Sequence, residues 1–175
     1  WVRNNRPDVF RRIAHLLLPK DYVRLWLTGE IASDVSDAAG TQLLDEARRT
    51  FSQTMLDAVG LDARQVPRLH DGSDIAGTLR PVAAAALGLT PGIPAAAGGG
   101  DAATGAVGAV CTDDGDGFIS LGTAAVFVVV RDTYAPRPEL ILHNFAHCLP
   151  ARWYQMAGML NGASCLAWAL RLVGE

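Results

Sequence analysis

Apolar positions follow two rhythms along this chain, and the change falls near residue 93. Before it, hydrophobic residues recur three and four apart, the period of a helix with one buried face. Val9, Phe10, Ile13, Ala14, Leu16 and Leu17 keep that spacing behind Pro7, a residue tolerated in a first helical turn. Pro19 ends or restarts this helix. Residues 21–28 then place Tyr22, Leu25 and Trp26 on one face, with Gly29 where a helix stops. The stretch 33–41 is small and polar and predicts a loop. Ser52 is placed to cap a helix through Met55, Leu56 and Val59 that stops at Gly60. A further helix runs near Pro81 to Leu87 and stops at Gly88.

From Ile93 onward the apolar residues come in short runs. Residues 93–97 predict a buried strand, followed by Gly98-Gly99-Gly100-Asp101 and by 102–110, whose small residues suit a tightly packed helix. Asp113-Asp114-Gly115-Asp116-Gly117 predicts a turn, and the boundary between two structural units is placed there, between residues 112 and 113. The runs 118–121 and 126–131, joined by Gly122-Thr123-Ala124-Ala125, predict a β-hairpin. Strands near 140–145 and 153–156 follow, and Leu166, Ala169, Leu170 and Val173 space a last helix over 163–173. Helices first and strands afterwards describe an α/β chain. The aromatic positions Tyr22, Trp26, Trp153 and Trp168 are expected in its core.

Composition narrows the functions open to this chain. Half of the 175 residues are hydrophobic and 19% are charged, enough for a packed core and unlike a disordered segment. The formal charge of −3, with no basic block, argues against nucleic acid or an anionic membrane as a partner. No apolar run approaches the ~20 residues of a bilayer span, so a soluble protein is expected. Cys111, Cys148 and Cys165 are odd in number, widely spaced and without a CxxC pair; they are expected to be reduced, buried thiols of a cytoplasmic protein.

Chemistry is best concentrated at Gly98–Asp101. A strand, a run of glycines and a helix start bring bare backbone close to whatever binds, leaving Asp101 as the reactive group. The same position suits a helix N-cap, whose carboxylate stays ionised as a general base must. Gly98, Gly100 and Ala103 also satisfy a G-x-G-x-x-A dinucleotide fingerprint, with Asp132 as a poor ribose-binding acid, although Asp101 would face the pyrophosphate. Gly122-Thr123 is either an ordinary hairpin turn or an anion-binding concavity of turn amides and a hydroxyl. His143 and His147 lack a third ligand nearby and are expected to be surface or hydrogen-bonded histidines. The aspartates at 113, 114 and 116 lack the spacing of a calcium loop. Lys20-Asp21 is expected to be a local pair at a helix start.

Taken together, several motifs carry a resemblance. They are Leu18-Pro19-Lys20-Asp21-Tyr22, Leu27-Thr28-Gly29-Glu30 and Ser33-Asp34-Val35-Ser36-Asp37-Ala38-Ala39-Gly40-Thr41, followed in order by Gly98-Gly99-Gly100-Asp101, Ser120-Leu121-Gly122-Thr123 and His143-x-Phe145-x-His147-Cys148-Leu149-Pro150. This ordered set resembles the FGGY family of carbohydrate kinases, and within it the xylulokinases.

The resemblance implies two actin-like, ribonuclease-H-like domains closing on ATP and a sugar. Of these the chain would be the central part, with residues 1–112 ending the sugar-binding domain and 113–175 beginning the nucleotide-binding domain. It implies Asp101 as the general base toward D-xylulose, giving D-xylulose 5-phosphate. Gly100, Asp101 and Ala102 would lie at the sugar, Gly122 and Thr123 at the ATP phosphates, and Mg2+ would be carried with the nucleotide, not held by a metal site of the chain. It further implies that these residues alone are inactive, and family members are often dimers. Ala102 stands where the family commonly has a polar residue, and Ala124-Ala125 where it usually has Ser-Gly. A kinase for another ketose or polyol, and a non-catalytic actin-like nucleotide-binding module, therefore remain as alternatives.

Overall fold

Proline and glycine set the limits of the helices in the first part of the chain. In the computed structural model, which describes residues 1–174, two single turns, α1 (Val2–Asn5) and α2 (Pro7–Phe10), open the chain. Residues 13–18 are not helical, so the helix expected over this stretch is cut short. The reason is a long-range exchange of hydrogen bonds. Leu16 N–H donates to the Gln65 carbonyl at 2.7 Å, and the Gln65 side chain donates to the Ile13 carbonyl at 2.7 Å. Pairing outside the segment outweighs its helical spacing.

Helix α3 (Pro19–Thr28) carries proline in its first turn and ends on Gly29 at φ 86°. It leads to β1 (Ala32–Asp34) and α4 (Val35–Ala39), where a loop was expected. This small, polar stretch is buried because its polar groups find partners inside the fold: Asp34 caps α4 by accepting from the amides of Ser36 and Asp37. After the short antiparallel pair β2 (Leu44–Asp45) and β3 (Thr50–Phe51), Ser52 caps α5 (Gln53–Val59), which Gly60 ends as expected. Strand β4 (Arg68–His70) lies parallel to β1, with Asp34 opposite His70. Strand β5 (Ile75–Thr78), α6 (Pro81–Leu87) and β6 (Pro94–Ala96) follow, β5 and β6 pairing antiparallel. In β6, Pro94 and Ala96 are exposed, and the buried residue is Ala97 just beyond it. These elements form one compact unit, residues 1–98.

The second unit begins at residue 99. Helix α7 (Asp101–Gly108) is followed by the hairpin β7 (Gly117–Leu121) and β8 (Ala125–Arg131), then β9 (His143–Ala146), β10 (Trp153–Met159) and α8 (Ala163–Val173). The four strands make one antiparallel sheet in the order β7-β8-β10-β9. Leu121 lies opposite Ala125 at the hairpin end, and Val128 opposite Met156 further along. Ala103 of α7 packs with Val128, Cys148 and Tyr154, flanked by Phe118, Val126 and Met156. Small side chains on α7 allow that close approach, since Ala103 and Ala106 are fully buried.

Two expectations about burial are corrected. Tyr22, Trp26 and Trp168 are 65%, 47% and 59% exposed, and Trp153 is half-buried. On α3 the buried residues are Asp21 and Arg24, so its aromatic positions face outward. Of the three cysteines only Cys148 is buried, while Cys165 is exposed; all three are free thiols.

At the hairpin tip the start of α8 fits closely. The amides of Gly162 and Ala163 donate to the carbonyls of Thr123 (2.7 Å) and Gly122 (2.9 Å). A Cβ at Gly162 would lie 2.7 Å from the backbone of Ala124 and from the Ala125 nitrogen, so either the tip or the helix would have to shift. Gly162→Ala is therefore expected to lower stability by about 1–3 kcal/mol, the usual cost of overpacking. Urea unfolding would measure this; an unchanged midpoint would mean that the hairpin tip and α8 are not in contact.

Candidate functional site

The glycine run does as expected with its backbone. Gly98 sits at φ +87°, a left-handed conformation that other residues adopt at a cost. The N-cap of α7 is Gly100, extended at φ −63° and ψ 152°, and Asp101 is the first helical residue. Asp101 is therefore not the cap. Its exposed carboxylate accepts one hydrogen bond through Oδ1, from the Ala102 amide at 2.8 Å, and Oδ2 has no protein partner among the described residues. One oxygen is thus held by the helix start and the other is free.

Asp101 opens onto a cleft of about 410 Å³ within the second unit. Its walls are Asp101, Ala102 and Gly105 of α7, Phe118 and Ser120 of β7, and Val126 and Met156. The floor is apolar, and Asp101 and Ser120 are its polar side chains. Ala102 packs against the apolar cluster beneath the cleft, which accounts for a small side chain at this position. Gly122 and Thr123 lie beyond the lining, at the exposed hairpin tip. Their carbonyls are taken by α8 and by the Ser164 hydroxyl, which donates to Thr123 O at 3.0 Å. The Thr123 amide and hydroxyl have no protein partner among the described residues and are free for an anion.

The other sequence candidates separate from this site. His147 is fully buried, and its Nδ1 accepts from the Leu149 amide at 3.1 Å, while His143 stacks on Phe145. Asp116 accepts from the amides of Thr112 and Asp113, and Asp114 accepts from the Asp132 amide, as an ordered turn. No group of three or more His, Cys, Asp or Glu side chains able to hold a metal ion occurs among the described residues. No helix among them is long and apolar enough to cross a membrane.

Sequence reasoning missed a second polar assembly, in the first unit. Lys20 Nζ reaches Asp21 and Asp34 at 2.7 Å each and Asp37 at 3.5 Å, so the expected local pair is in fact a link between α3, β1 and α4. Arg24 pairs with Asp21 at 2.9 Å, and the Ser33 hydroxyl donates to the same carboxyl group at 2.6 Å. Arg24 also donates to the carbonyls of Ala32 and Ala97, the latter at 2.5 Å. Asp21 and Arg24, three apart on α3, share one helical face. That spacing, beside Ser33-Asp34-x-Ser36-Asp37, was the available signal.

Three carboxylates face two cations here, and the excess negative charge falls on Asp37, the most exposed of the three acids. Burial pushes its carboxyl group up from the ordinary 3.8 more than Lys20 lowers it, with Asp34 and Asp21 adding to the rise. For Lys20, burial pulls the ammonium down, but hydrogen bonds and charge attraction from Asp21 and Asp34 outweigh it and leave the group above 10.5.

Comparison with known proteins places the chain. Residues 1–108 match the N-terminal domain of the FGGY family of carbohydrate kinases. The xylulose kinase of Escherichia coli K12 is 49% identical over 174 residues, 99% of this chain and 36% of that protein. Among solved structures, a kinase from Brucella ovis described as a xyloylose kinase superposes with a TM-score of 0.93 at 46% identity, over 99% of this chain and 36% of that one. The xylulose kinase of Rhodospirillum rubrum does so at 0.90 and 28%, over 99% and 35%. The chain belongs to the FGGY family of carbohydrate kinases, and this membership overturns the dinucleotide reading of Gly98, Gly100 and Ala103. It spans about a third of the length of the curated relatives it matches.

The two shifted groups give the same sign with pH, in different ranges. Lys20, raised, contributes stability that is complete below 10.5 and lost as pH rises through its folded value. Asp37, also raised, contributes below 3.8, and that contribution is lost as pH rises through its folded value. At neutral pH, Lys20→Met strands buried Asp34 and is expected to cost about 3 kcal/mol. Asp37→Asn, which removes the excess charge, is expected to cost far less. Denaturant unfolding at pH 7 checks both, and the Lys20→Met deficit should shrink above pH 10.5.

Proposed function

We propose that this chain is the central part of an ATP-dependent sugar kinase that converts D-xylulose to D-xylulose 5-phosphate. Family membership supports a carbohydrate kinase, and the relatives named as xylulose kinases support the sugar. In this reading residues 1–112 end the sugar-binding domain, in keeping with the family match to residue 108, and residues from 113 begin the nucleotide-binding domain. A cytoplasmic location accords with a sugar kinase. The observation that carries the reading is Asp101: an exposed carboxylate at the mouth of a cleft, with one oxygen tethered to the Ala102 amide and the other free.

Phosphoryl transfer asks a protein mainly for positioning and charge stabilisation. Asp101 Oδ2 accepts the proton of the sugar hydroxyl as that oxygen forms its bond to the γ-phosphorus. The bond from the γ-phosphorus to the bridging oxygen breaks, and ADP leaves with the electron pair. The tether at Oδ1 limits rotation of the carboxylate, and Gly100 and Ala102 leave room for the sugar beside it. The free amide and hydroxyl of Thr123, with the Gly122 turn, are the donors this unit offers to the phosphates. Magnesium arrives with ATP as part of the substrate and neutralises phosphate charge.

In a complete kinase carrying this segment, Asp101→Asn is expected to lower kcat by about 10²–10⁴-fold, the usual contribution of a general base, with MgATP binding retained. Steady-state turnover and nucleotide titration measure the two quantities. Turnover near that of the parent enzyme would remove Asp101 from the mechanism.

A further inference from the structure

We infer that the Ser120 hydroxyl donates a hydrogen bond to the phosphoryl group as that group passes to the substrate oxygen at Asp101. This rests on the proposed role of Asp101, and both residues belong to the second unit.

Strand register decides which way Ser120 faces. Along β7, Phe118 lies opposite Val128 and Ser120 opposite Val126, so Phe118 and Ser120 share the face that packs toward α7. Ile119 and Leu121 alternate onto the other face and are exposed. The neighbours of Ser120 on the α7 side are apolar: Phe118, Val126, Val128 and Met156. A serine adds little apolar burial there, and its hydroxyl has no protein partner among the described residues. It is exposed into the cleft onto which Asp101 opens.

That cleft offers a ligand two free side-chain groups, the second oxygen of Asp101 and the hydroxyl of Ser120. The first accepts and the second donates. In transfer, the phosphoryl group carries negative charge on its non-bridging oxygens toward the substrate oxygen, and so toward the Asp101 carboxylate. Two anionic groups draw together, and the lining holds no cationic side chain to offset them. Ser120 is the one side-chain donor in that lining. It also stands three residues before Thr123, whose amide and hydroxyl are free at the hairpin tip. The tip thus serves the phosphates that stay with ADP, and Ser120 the group that leaves them. Ser120 keeps its own proton throughout. Asp101 takes the proton of the substrate hydroxyl, the new bond to phosphorus forms, and ADP departs with the electrons of the old one. A donor aimed at charge that builds during transfer acts on the rate more than on binding.

The test uses a complete kinase containing this segment. Ser120→Ala is expected to lower kcat at least about tenfold, counted per MgADP-binding site, with KM for D-xylulose and MgATP within about twofold. MgADP with aluminium fluoride and D-xylulose imitates the transferring group, and the variant should bind it at least about tenfold more weakly. MgADP alone should bind as in the parent enzyme. Ser120→Thr, which restores a hydroxyl, should recover most of both losses, a rescue that a packing role would not show. Ser120→Cys, close in size and a weaker donor, should show a smaller loss of the same kind, and carries the test if the alanine variant does not fold. Unchanged kcat in Ser120→Ala would overturn the inference. So would a loss confined to KM for D-xylulose, which would place the hydroxyl on the sugar. An equal loss of MgADP binding would overturn it too, as would failure of both the alanine and cysteine variants to fold. Asp101→Asn run in parallel separates the two readings. If it turns over normally, the proposed role of Asp101 has failed, and the inference falls with it. If it is inactive while Ser120→Ala keeps its kcat, only the inference has failed.

Discussion

One buried guanidinium does in the first unit what a hydrogen-bond ladder does elsewhere. Two small sheets lie near each other without pairing, and Arg24 spans them through the carbonyls of Ala32 and Ala97. A buried cation is tolerable only with a counter-charge beside it. Asp21 supplies the charge, and Lys20 and Ser33 hold Asp21 in turn. The consequence reaches back into the sequence: the inward face of α3 carries charge where an ordinary amphipathic helix carries leucine, and its aromatic residues turn outward. The polar stretch that follows α3 is buried for the same reason, because its serines and aspartates complete the assembly.

The second unit rests on a different constraint, the closeness of backbone to backbone. Alanines on α7 let the helix settle onto the four-stranded sheet, and Gly162 lets α8 meet the hairpin tip. The contacts of that tip divide its groups by role. Its carbonyls are spent on α8, while the Thr123 amide and hydroxyl remain available. The cleft beneath α7 is apolar apart from Asp101 and Ser120, so a polar ligand there would meet few competing groups. The carboxylate is the one ionisable group in its lining.

Legibility of the sequence followed the range of the interactions. Helices α5 and α6, the β7–β8 hairpin and α8 were readable because a local cap, a proline or glycine, or a short period fixes each of them. Asp101 was readable as a candidate because glycines precede it, although the cap proved to be Gly100. The failures involve partners outside the local pattern: Gln65 unwinding residues 13–18, and Lys20 and Asp21 drawing residues 33–37 inside. Hydrophobic period alone cannot reveal a helix that buries its charges.

By itself, then, the sequence determined the α/β character, the family and the placing of a lone carboxylate after a bare glycine run, since each is written in local spacing and ordered motifs. Only the tertiary structure decided which oxygen of Asp101 is free, which groups of the hairpin tip are already spent, and that Arg24 holds Ala97. The last two depend on donors and acceptors distant in sequence, 41 residues for Ser164 and Thr123 and 73 for Arg24 and Ala97, and no local pattern encodes such a meeting; the first turns on the carboxylate's orientation toward the adjacent Ala102 amide.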